Sequence, residues 1–117
     1  MTSSTLDRVF STLADSHRRL CCRHVAVTDA TTVSIDELRT TLADASSAAT
    51  EPDPNRAARI ETRLRHVHLP MLDEAEVFEY DATQGTVQAG PLFPLATDLV
   101  EATADAPEVD AAMPVLE

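Results

Sequence analysis

Four arginines fall within ten positions, Arg56, Arg59, Arg63 and Arg65, and Thr62 and His66 lie among or beside them. Arginine can bond guanine at two atoms, and threonine can touch a thymine methyl. On a helix turning about 100 degrees per residue, Ile60, Leu64, Val67 and Met71 form an apolar seam. Arg56, Arg59, Thr62, Arg63 and His66 then cluster about 40 to 160 degrees to one side of that seam, and Arg65 falls on the other. A stripe of this composition beside a buried seam is what a major-groove helix needs. The expected duplex contacts are Arg59, Thr62, Arg63 and His66, with Arg56 on the backbone. A solvated face with the same residues is the competing expectation, and the i, i+4 pair Glu61–Arg65 suits it.

A second group could do metal chemistry. His17, Cys21 and His24 recur at i, i+4 and i+7 and could offer three ligands to a thiophilic ion. One helix supplies neither the geometry nor a fourth partner, and a buried free cysteine behaves as a small hydrophobe. Packing is therefore expected, with no metal and no cofactor. Cys21 and Cys22 are adjacent, so a mutual disulfide would be strained, and reduced thiols fit best. His66 and His68 point about 160 degrees apart and are not a chelating pair; His68 is expected as a hydrogen-bonded core residue. No phosphate loop, nucleophile elbow or metalloprotease motif is present, and the chain has two glycines in all. No enzyme is expected.

These residues need elements to hold them. Leu6, Val9, Phe10 and Leu13 mark an amphipathic first helix. Asp15 is a suitable N-cap for a second, running to about Val27. Thr31–Val33 is the length of a one-bridge strand. Ser34 and Glu37 form a capping box for a third helix with the stripe Ile35, Leu38 and Leu42. Residues 45–55 read as a loop, with Pro52 and Pro54 in it, and Asn55 can cap the fourth helix. Pro70 lies inside that helix, which is expected to bend near Leu69 and end near Ala75. Val77–Tyr80, a turn over 81–85 and Thr86–Gln88 read as a β-hairpin. A last helix is expected over about 94–104, with Leu92, Leu95, Leu99 and Val100 packing on the first helix or on a second copy. The acidic remainder reads as frayed.

The order is α-α-β-α-α-β-β-α, mainly α with a small β-hairpin wing. That is a winged helix-turn-helix over residues 1–90, followed by a C-terminal helix and acidic tail over 91–117. The chain has 117 residues, 20 acids, nine bases and a net charge of -11. All nine bases are arginine and lie within residues 1–65, which also hold nine acids; residues 66–117 hold eleven acids and no base. Abundant acids, no lysine and few aromatics suit a cytoplasm at molar salt, where self-repulsion is screened over about 3 Å. No apolar run is long enough to span a bilayer, and the N-terminus lacks the pattern of a signal peptide, so a cytoplasmic location is expected.

The segments LADSHRRLCCRHV, TTVSIDELRTTLA and RHVHLPMLDEAEVFEYDATQGTV resemble the small winged-helix domains of haloarchaeal proteins. Those domains are related to the arsenical-repressor-like superfamily. The resemblance covers about residues 5 to 90 and is most specific at His66, His68, Leu69, Pro70, Leu72, Tyr80 and Asp81. It implies a DNA-binding, transcription-associated domain that tolerates Pro70. Two departures stand out. The family usually carries glycine where this chain has Glu76, and the wing has Glu79 and Asp81 but no base to meet a phosphate. A transcriptional regulator reading duplex DNA, as a homodimer through the last helix, is thus one expectation. A winged-helix protein-interaction module without DNA contact is the other.

Overall fold

The computed structural model describes residues 2–47 and 55–104. Its helices are α1 (Thr2–Thr12), α2 (Ser16–Val27), α3 (Ile35–Ser47), α4 (Arg56–Arg63), α5 (Leu69–Glu74) and α6 (Phe93–Ala104). A π turn over Leu64–His68 joins α4 to α5. The strands are β1 (Val33–Ser34), β2 (Phe78–Asp81) and β3 (Thr86–Ala89), antiparallel in the order β1-β3-β2. With the π turn counted inside one bent helix, the chain has the expected order and is a mainly α, winged-helix type of fold with a hairpin wing.

Local chemistry accounts for most boundaries. Asp15 stands at the N-cap of α2, its Oδ1 accepting from the His17 amide at 2.8 Å. Ser34 ends β1 and caps α3, its Oγ accepting from the Glu37 amide at 3.1 Å. The Glu37 carboxylate accepts instead from His24 Nε2 at 2.5 Å, so half of the expected capping box becomes a tie from α3 to α2. The Ile35 amide donates to Gly85 O at 2.9 Å, which fastens the start of α3 to the wing turn.

The core gathers Val33, Val87 and Phe78 from the sheet with Leu38 and Leu42 of α3, Leu64, Leu69 and Leu72 of the bent helix, and Cys21, Cys22 and Val25 of α2. Ile35, Leu38 and Leu42 are all buried, as their spacing requires. On α1 only one edge of the apolar stripe meets the fold. Val9 and Leu13 are buried, but Leu6 and Phe10 are exposed, contrary to the four-residue face read from the spacing. The core continues into α6, which packs on α2, burying Ala96 and Val100. Phe93 meets Phe78 with ring centroids 6.0 Å apart.

The long helix departs most from a plain wheel. Ile60 and Leu64 are buried as expected, but the next buried positions are His68, Leu69, Leu72 and Ala75. Val67, expected in the seam, is 37% exposed, and Met71 is only half-buried. The π turn is the cause: the Leu69 amide bonds to Leu64 O, five residues back. One extra residue in a turn rotates everything beyond it by about 100 degrees. Pro70 then falls in the first turn of α5, where its missing N–H removes no helical bond. Asn55 precedes α4 but makes no side-chain capping bond. The loop expected from residue 45 starts later, since α3 runs to Ser47; residues 48–54, with Pro52 and Pro54, and the acidic tail from 105 onward lie outside the described residues.

Candidate nucleic-acid interface

The exposed side of α4 carries the arginine stripe. Arg59, Thr62 and Arg63 are exposed and, with Asn55 and Ala58, line an open groove of about 460 Å³. Arg56 is half-buried and His66 exposed, and neither lines that groove. His66 lies inside the π turn, where the ideal wheel no longer holds, so the five expected residues come together as three plus two. Thr62 Oγ1 donates to Ala58 O at 3.0 Å. Its proton is thereby used, and its methyl and remaining lone pairs stay available to a ligand.

The opposite flank is built differently. Glu61 accepts from Arg65 at 3.0 Å and from Arg39 of α3 at 3.0 Å, and Arg39 also reaches Asp36 at 3.4 Å. The Arg65 hydrogen bond, helped by Arg39, holds the Glu61 carboxyl below its ordinary range. Arg65 is therefore occupied in a surface network tying α3 to α4.

The wing is acidic. Asp73, Glu79, Tyr80 and Asp81 line a second groove of about 280 Å³ together with Thr32, Thr86, Val87 and Gln88. Asp73 accepts from the Tyr80 amide at 2.8 Å, and Glu79 from Gln88 at 2.7 Å, so the carboxylates are held by neutral donors rather than bases. At the entry to the wing, Glu76 has φ +66°, the left-handed conformation that glycine would supply.

His17, Cys21 and His24 do not converge. Cys21 and Cys22 are buried free thiols, and burial pushes both up to about 12. His24 is engaged with Glu37 and Thr41. His68 is the buried residue its position suggested, and its Nδ1 meets Arg18 Nη1 at 3.1 Å. Arg18 is also buried, and its Nε donates to Thr12 O at 2.5 Å. Spacing could not reveal this pair, whose members are fifty residues apart. A charged residue on the buried side of α2 was its only trace. Burial, outweighing the charge of Asp15, lowers His68 to about 4, so the ring is neutral at pH 7.

Among the described residues no helix is long and apolar enough to cross a membrane. No curated protein and no solved structure matches the chain. One family profile does match, over residues 10–88, from the end of α1 through the wing. That span includes the α4 stripe, the π turn and the acidic hairpin, and the chain accordingly belongs to the domain of unknown function DUF7344.

Proposed function

We propose that the chain is a DNA-binding transcriptional regulator of a halophilic cytoplasm, related to the small haloarchaeal winged-helix domains. The observation that carries this reading is the exposed Arg59–Thr62–Arg63 groove on the fourth helix of a winged-helix fold. Arg59 and Arg63 read base edges, Thr62 offers its methyl, and Arg56 and His66 take flanking contacts. A homodimer through α6, with half-buried Leu95 and Leu99 at the seam, presents two such helices to a pseudo-palindromic site.

The acidic wing favours a second reading, a protein-interaction module, because Asp73, Glu79 and Asp81 would repel a phosphate backbone. Selection from a random duplex library at about 2 M KCl separates the two, since counterion release is nearly spent there. Enrichment of a motif that disappears with Arg59→Ala/Arg63→Ala supports base reading. Absence of enrichment at every salt concentration rejects it and turns the search to protein partners.

A further inference from the structure

At the start of α2 two side chains meet a third at the end of the π turn. Asp15, His17 and His68 each offer an atom, and the three atoms lie within 4.8 Å of one another. The His17 and His68 rings meet edge to face, centroids 5.6 Å apart at 81°. His68 is 1% exposed, and its Nε2 has no hydrogen-bond partner among the described residues. Buried polar atoms are nearly always satisfied, so a buried ring that has an unpartnered nitrogen and packs beside two ligand-type side chains calls for a ligand.

We propose that Asp15, His17 and His68 form a site for a divalent transition-metal ion of the zinc class, entered by displacing Arg18 from His68. Two imidazoles and a carboxylate are the donor set of zinc and its cobalt and nickel neighbours, and the fourth position falls to water. Calcium and magnesium prefer oxygen alone. Ligand atoms around zinc sit about 3.4 Å apart, as bond lengths near 2.0–2.1 Å require, so the three groups must close by up to about 1.5 Å. Half-buried His17 has room to supply most of that movement. Asp15 Oδ1 accepts the capping bond from the His17 amide and the carboxylate also accepts from the Arg18 amide, which leaves lone pairs of its two oxygens for the ion.

Arg18 sets the condition for entry. A guanidinium only donates, so His68 Nδ1 accepts and the ring's single proton resides on Nε2. For Nε2 to ligate, that proton leaves to solvent while Nδ1 takes one up. The ring stays neutral, and the guanidinium must withdraw from Nδ1. The Thr12 carbonyl it now holds is the kind of acceptor that a ligating histidine commonly uses for its second N–H. This proposal stands independently of the DNA reading, because metal uptake is measured without DNA.

The test is Co²⁺ titrated into the metal-free full chain in KCl, followed by visible absorption, with Zn²⁺ competing. One equivalent should give d–d bands without thiolate charge transfer. His17→Gln and Asp15→Asn, the latter retaining a capping oxygen, should each weaken binding about tenfold or more. Arg18→Met should tighten it by removing the competing donor. Circular dichroism establishes that each variant is folded, and His17→Gln, at a half-buried position, keeps the test open if Arg18→Met is not. The proposal is overturned if no bands develop, or if they survive His17→Gln and Asp15→Asn together. It also fails if thiolate absorption is seen and lost in Cys21→Ser/Cys22→Ser, or if folded Arg18→Met binds more weakly.

Discussion

Among the described residues, Glu76 is the non-glycine residue held at positive φ, so backbone demand and side-chain identity disagree there. The Val77 amide bonds to Leu72 O at 3.0 Å and the Glu76 amide to Asp73 O at 2.9 Å, the paired bonds of a Schellman ending to α5. Such an ending places its left-handed residue at Glu76, and glycine is the usual occupant. A Cβ in that conformation costs roughly 1–2 kcal/mol. Glu76→Gly should therefore raise unfolding stability by about 1 kcal/mol, after the added flexibility of the unfolded chain is counted. Glu76→Ala, which keeps the Cβ, should gain little, and equal gains from both would point to the lost charge instead of strain. Gly90 shows the reverse case. A Cβ there would stand 2.6 Å from Glu76 O, which is backbone and cannot turn aside. Gly90→Ala should lower stability by about 1–3 kcal/mol, and urea titration of the Glu76 and Gly90 variants beside the parent checks both predictions. The first position was legible only through the expectation, implied by the resemblance, that glycine stands at 76. Gly90 was not legible, because its constraint comes from a residue fourteen positions away.

At the scale of elements, the π turn decides which face of the long helix is buried. If one residue were deleted there, Leu64, His68, Leu69 and Leu72 would lie on one stripe of a continuous α-helix, at i, i+3, i+4 and i+7. Exposed Val67 is the natural residue to remove. What then forbids a plain helix is Pro70, whose ring would strike the carbonyl one turn back. Deleting Val67 alone should destabilise the protein by about 3 kcal/mol, and adding Pro70→Ala to the deletion should restore most of that. If the double change recovers nothing, the π turn is fixed by something other than proline. The same turn explains what the sequence could and could not convey. Caps, the hairpin and the α3 stripe follow from short-range chemistry, and Asp15, Ser34 and Gly85 mark them plainly. A fixed 3.6-residue period cannot express an inserted residue, so Val67 read as core. The arginine stripe survived because Arg59, Thr62 and Arg63 all precede the break, whereas His66 lies within it.

For the whole molecule, charge outweighs any single contact. Eleven acids and no base lie beyond residue 65, and the net charge is -11 on a chain with few aromatics to enlarge its core. At about 0.01 M salt the screening length is about 30 Å, comparable with the 44 × 41 × 25 Å dimensions of the fold, so every carboxylate repels most of the others. At about 1 M it falls to roughly 3 Å, and only close pairs such as Glu61 with Arg39 and Arg65 still matter. Melting temperature should therefore rise steadily with KCl over that range. The wing offers the sharpest control, because Asp73, Glu79 and Asp81 gather around one groove with no base among its lining residues. Asp73→Asn/Glu79→Gln/Asp81→Asn should melt higher than the parent at low salt and converge with it near 1 M. A parent melting temperature that is flat in KCl, or a constant offset between the two proteins, would show that repulsion is not what salt relieves. The same screening bears on recognition, since an acidic wing can approach a phosphate backbone only where repulsion has been reduced to contact range. A protein of this charge that reads DNA must then do so through the shape and donors of a face such as that of α4, where two arginines and a threonine line one groove.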